Sequence, residues 1–130
     1  MSSLTFKENF IWKGCGSSSL SNESIIHTGW KNVLIHFQLR HDRFPIYSIF
    51  GVGESVFNRK RIPFILSGSL TIDGNMRLIK THVSQRYKNQ TIYDIKINIQ
   101  DITKIQGFCT RNNQQYSLNL HSTSYIIQAS

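Results

Sequence analysis

Apolar residues in this chain recur at every second position over short runs, and turn-forming residues separate the runs. That spacing suits a pleated strand with one buried face, whereas a helix would repeat its apolar stripe every three or four residues. From Val33 to Arg40, one phase is Val33, Ile35, Phe37 and Leu39, and the other is Leu34, His36, Gln38 and Arg40. Between residues 91 and 99, Tyr93, Ile95, Ile97 and Ile99 alternate with Ile92, Asp94, Lys96 and Asn98. Each pattern predicts a strand with a core face and a solvated face.

Two hairpins follow from the turn chemistry. Phe64, Leu66, Leu70 and Ile72 alternate with Ser67, Ser69 and Thr71, and Asp73-Gly74 then joins residues 64–72 to 75–83. Asp-Gly suits a type I′ turn, in which both central residues need positive φ. The second hairpin runs from Lys104 to Arg111, turns at Asn112-Asn113 and returns through Tyr116, Leu118 and Leu120. Phe6 to Gly14, Ile46 to Gly53 and Ser122 to Gln128 read as further strands, and the serine-rich stretch Gly16 to Ser24 as a loop. Gly68 and Gly107 occupy similar places in the first strands of the two hairpins, where each would let a coiled strand bend around a corner. The expected fold is all-β: a single antiparallel up-and-down β-barrel of about 8–10 strands filling residues 1–130, with a β-sandwich as the alternative.

Composition narrows the function. The 130 residues carry 15 basic and 7 acidic side chains, a formal charge of +8. No apolar run approaches the roughly 20 residues of a membrane helix, and the N-terminal residues lack a secretory apolar core. A cytoplasmic location is expected, with a nuclear one as the alternative. The two cysteines, Cys15 and Cys109, and the five histidines show no zinc-type spacing, so no metal site is expected. The carboxylates are scattered, and Gly51-Val52-Gly53 lacks the third glycine of a dinucleotide loop. No catalytic grouping is legible, and the chain reads as non-catalytic.

Trp12-Lys13-Gly14-Cys15-Gly16 on the first strand resembles the W-x-G-x-G opening of nitrobindin-type barrels in the wider calycin group. That resemblance implies a ten-stranded barrel and haem bound through a histidine near the C-terminus, where His121 is the residue at a comparable place. Phe10 stands where that family has glycine, and His121 falls in phase with the polar Ser117 and Asn119. Length and basic charge also resemble intracellular fatty-acid-binding proteins, although their Arg-x-Tyr carboxylate anchor is absent here.

Most inward phases are wholly apolar, which predicts a filled interior with function on the rim. The exceptions are Lys80 and His82, in phase with Met76 and Leu78, and Arg111, in phase with Ile105 and Cys109. With Trp12 and His121, these are the candidates for binding a small apolar or weakly acidic ligand. A second reading takes Arg40, Arg43, Arg59, Lys60 and Arg61 as a basic loop cluster that binds nucleic acid or another polyanion. A third is a haem protein through His121. The first reading, a binding module for a small ligand or a protein partner, is the leading expectation, with no cofactor required.

Overall fold

The computed structural model describes residues 9–20, 27–40, 46–83, 90–111 and 114–128, with the backbone alone given for 20, 27, 109–111, 114 and 125–128. The described residues form eight strands: β1 (Asn9–Leu20), β2 (His27–Arg40), β3 (Ile46–Phe57), β4 (Lys60–Thr71), β5 (Asn75–His82), β6 (Gln90–Lys96), β7 (Lys104–Arg111) and β8 (Gln114–Gln128). They form one antiparallel sheet in the order β6-β5-β4-β3-β2-β1-β8-β7. β1 to β6 pair in sequence order, β7 pairs with β8, and β1 also pairs with β8, so the sheet curls into an up-and-down barrel. Among the described residues, only the β6–β7 seam lacks a hydrogen-bonded ladder, and there Ile95 packs over Gly107, where any Cβ would overlap it. The sandwich alternative is excluded by this single, nearly closed sheet. No helix among the described residues is long and apolar enough to cross a membrane.

Several strand limits differ from the sequence reading. The serine-rich segment is not a loop from Gly16 onward: β1 continues to Leu20, pairing Ser17, Ser18 and Ser19 with Gly29, Thr28 and His27. Ladder partners on both sides compensate for the low strand preference of those serines, and Ser19 Oγ is 2.7 Å from Ser117 Oγ on β8. Residues 122–128 are the end of β8 rather than a separate strand. Residues 57–61 are not a loop either, because Phe57 and Lys60 pair across a two-residue turn at Asn58-Arg59. Both turn residues have positive φ, 49° and 63°, as a type I′ hairpin requires. At Asp73-Gly74 the expected type I′ turn is absent. Only Gly74 has positive φ there, in a three-residue connection in which Gly74 N–H donates to the Thr71 carbonyl. Residues 6–8, His41, Asp42, Arg43, Asn112 and Asn113 lie outside the described residues.

The barrel interior is layered. At the end formed by Asn9, Arg40, Ile46 and Lys96, Phe10 stacks on Phe37 at 4.4 Å and both meet Tyr47 edge-on. β6 ends at Lys96, earlier than its alternation suggested. Ile97 and Ile102 therefore leave the ladder and plug this end as buried residues. Trp12 is fully buried beside them and its indole N–H donates to the Ile102 carbonyl at 2.7 Å. Aliphatic side chains, among them Ile35, Leu66, Leu70, Leu78, Leu118 and Leu120, fill the middle. The packing changes toward the opposite end, where the inward residues become Ser18, Ser55, Lys80 and His82.

Candidate functional site

That polar end holds a cavity of about 310 Å³. β1 and β2 contribute Ser18, Ser19 and Thr28, β3 and β4 Ser55, Phe57 and Ile62, and β5, β6 and β8 Lys80, His82, Thr91, Tyr93 and Tyr116. The volume lies at the lower limit, about 300 Å³, of small-molecule pockets. The expectation of a wholly filled interior is therefore corrected. The alternation that packs the closed end persists here, but the inward positions of the last turns of strand carry short or polar side chains that leave the end unfilled.

Lys80 is the feature that distinguishes the cavity. It lies in the inward phase of β5, between Leu66 and Thr91 in the ladder, and is only 4% exposed. Its Nζ sits 4.4 Å from the ring centroid of Trp30 and 4.8 Å from that of Phe64. Among the described residues, no carboxylate lies within ion-pair distance of it. Burial pushes its pKa down from 10.5 to about 8, so the amine remains mostly cationic at neutral pH. Facing rings offset part of the cost of burying an ammonium. They do not replace a counter-ion.

The rings are themselves held. Trp30 is fully buried, its indole N–H donates to Ser18 Oγ at 3.1 Å, and it packs against Phe64 and Tyr93 at 4.9 and 5.9 Å. Phe64 packs over Gly53, where a Cβ would come within 2.5 Å of the ring. The wall therefore has a rigid aromatic floor and a rim of hydroxyls.

A second polar feature is the pair formed by Ser55 and His82, whose Oγ and Nε2 are 3.2 Å apart. Ser55 is 2% exposed and belongs to an inward phase of β3 made of Gly51, Gly53 and Ser55. Sequence reasoning ended this strand at Gly53 and missed Ser55. The signal was the continuation of small residues at every second position beyond Gly53.

The structure gathers some of the sequence candidates and separates others. Lys80 and His82 share the cavity. Arg111 ends β7 opposite Gln114, at the same end of the barrel by register, and its side chain is not described. Trp12 belongs to the closed end, a core residue rather than a cavity residue. His121 is exposed on the outer wall, with Nε2 3.4 Å from Cys15 Sγ. These positions do not fit a haem ligated by His121, because that imidazole faces away from the chamber. The basic cluster is divided: Arg40 pairs with Ile46 at the closed end, whereas Arg59, Lys60 and Arg61 lie at the β3–β4 turn beside the cavity. The twelve-residue β3 separates them by about 35 Å. Arg43 lies outside the described residues. Among the described residues, no three metal-ligating side chains come together.

Fold and site together define a small antiparallel β-barrel that is packed at one end and hollow at the other. No protein-family model, curated protein or solved structure matches the chain.

Proposed function

We propose that the protein is a binding module for a small amphipathic molecule. Its weakly acidic head would pair with Lys80, and its apolar body would lie against Phe57, Ile62 and Tyr116. The observation that carries this reading is a buried ammonium with no carboxylate partner among the described residues, opening into a cavity. Such a group is costly in an otherwise apolar interior, and an anionic ligand supplies the missing charge. Arg59, Lys60 and Arg61 at the same end would draw anions toward the mouth. A ligand chamber at one end of an up-and-down barrel also suits the calycin group that Trp12, Gly14 and Gly16 suggest.

Calorimetric titration with octanoate at pH 7 tests the reading, with Lys80→Met as the comparison. The variant should bind at least ten-fold more weakly, and wild-type affinity should fall as the pH rises above about 8. Equal affinity in the variant, or no binding of octanoate or of an aryl carboxylate, would overturn it. Native mass spectrometry of the purified protein should show a small added mass that is lost on denaturation.

A protein partner is the second reading, favoured by the outer wall. Phe50 is 63% exposed, and Val52, Ile65 and Ile92 are exposed with it. Ladder register makes Val52 and Ile65 neighbours and sets Phe50 in the same row as Ile92. Sedimentation across a concentration series, compared with Phe50→Asp, would show whether this wall associates with a second copy.

A further inference from the structure

Three chemically distinct groups meet in the cavity: a hydroxyl bonded to an imidazole, and an ammonium. The need of a buried polar atom for a partner would explain the contact between Ser55 Oγ and His82 Nε2 by itself. It does not explain why Lys80 opens into the same chamber two residues deeper along β5. The combination is the one that acyl transfer requires. A serine oxygen attacks only if a base takes its proton, and the oxygen that becomes negative needs a positive group already in place. The 3.2 Å contact meets the distance criterion for the base. Lys80 supplies a charge that is not neutralised by any described carboxylate.

We propose that this cavity hydrolyses esters of short carboxylic acids, with Ser55 as nucleophile, His82 as general base and Lys80 as the cation that holds the carbonyl oxygen. The proposal rests on the reading of the cavity as a ligand site with Lys80 at its anionic end. With the imidazole proton on Nδ1, the Ser55 hydroxyl donates to His82 Nε2. Oγ then bonds to the carbonyl carbon while its proton passes to Nε2, and the carbonyl π pair moves onto the oxygen, beside the Lys80 ammonium. Collapse of this intermediate re-forms the carbonyl and breaks the bond to the alcohol oxygen, which leaves with the proton from Nε2. Water repeats the sequence on the acyl-serine. One water is consumed, an acid and an alcohol are formed, and nothing is oxidised or reduced. The acid product is an anion of the kind that Lys80 would retain, so its release should be slow and the first turnover should appear as a burst. At about 310 Å³, the cavity favours acetyl to hexanoyl groups over long acyl chains.

The test uses the wild-type chain first. An alkyl fluorophosphonate is added and the labelled residue mapped by peptide mass spectrometry, with p-nitrophenyl hexanoate turnover followed in parallel. Expected results are phosphonylation of Ser55, suppression of that label by octanoate, and a nitrophenolate burst matched by hexanoate retained on the protein. Ser55→Ala and His82→Ala should each lower turnover at least 100-fold, and Lys80→Met at least ten-fold. Label and acyl group confined to lysines or cysteines, or unchanged turnover in folded Ser55→Ala, would overturn the proposal. Octanoate titration of the wild-type protein separates the two failures. Binding without Ser55 chemistry refutes the esterase alone, and absence of octanoate binding refutes the ligand site on which it rests.

Discussion

Replacing Lys80 with methionine keeps an unbranched stem against Trp30 and Phe64 and removes the buried charge. The consequence for stability can be worked from the fold. Displacement of the amine from its ordinary 10.5 to about 8 corresponds to about 3 kcal/mol by which the folded state disfavours the ammonium. The facing rings return up to about 2 kcal/mol of that. Lys80→Met should therefore be more stable than the wild type at pH 7 by about 1–3 kcal/mol, or about 4 °C in Tm for each kcal/mol. The pH dependence has a defined sign. Below pH 8 both states hold the proton and the penalty is complete. Between about 8 and 10.5 the unfolded chain keeps a proton that the folded chain has released, so wild-type stability rises with pH. The variant lacks this rise, and the gap should narrow across that window. Urea unfolding of both proteins at pH 7 and pH 10.5, without ligand, measures it. A less stable variant at pH 7, or a gap that does not change with pH, would refute the reasoning.

Further substitutions probe the frame around the site. Ser18→Ala removes the acceptor of the Trp30 indole N–H and should cost about 1–3 kcal/mol in urea unfolding, with a change in tryptophan fluorescence. Gly53→Ala brings a methyl group to 2.5 Å from the Phe64 ring; overpacking of about 1–3 kcal/mol is expected, and thermal melts would record it. Arg77→Ala breaks an exposed two-pronged pair with Asp94, at 2.8 and 3.1 Å, and should leave the urea midpoint essentially unchanged, because solvent screens such a pair. Its effect belongs in the Asp94 titration. The Arg77 hydrogen bonds hold that carboxyl below the usual carboxylate range, and an NMR pH series should show it rising in the variant.

How much of this was legible beforehand differs between fold and site. Alternation in segments such as Val33–Leu39 identified the inward residues correctly, because side chains on a strand alternate faces whatever the partner strand is. Strand ends were less visible. Ser17 to Ser19 have little strand preference, and only the partners on β2 and β8 keep them in the ladder. Turn type also escaped. Asp73-Gly74 carried the stronger type I′ signal, yet the two positive φ angles fall at Asn58-Arg59, because register fixed the number of residues left over at each hairpin.

The candidate site divides in the same way. Lys80 and His82 could be named from sequence, since a cation or imidazole in an apolar phase conflicts with its neighbours. Ser55 could not, because a serine after alternating glycines is unremarkable until His82, 27 residues away, is seen to reach it. Arg40 and Arg59 belong to one basic stretch of sequence, and the twelve-residue β3 that runs between them places them at opposite ends of the barrel. What the sequence by itself determined was the strand period, the all-β class and most of the apolar residues that face inward, all of which follow from local sterics and the burial of apolar surface. Closure, the hollow end and the meeting of Ser55, His82 and Lys80 were decided by tertiary structure, since they depend on ladder register around a curved sheet and no local interaction encodes it.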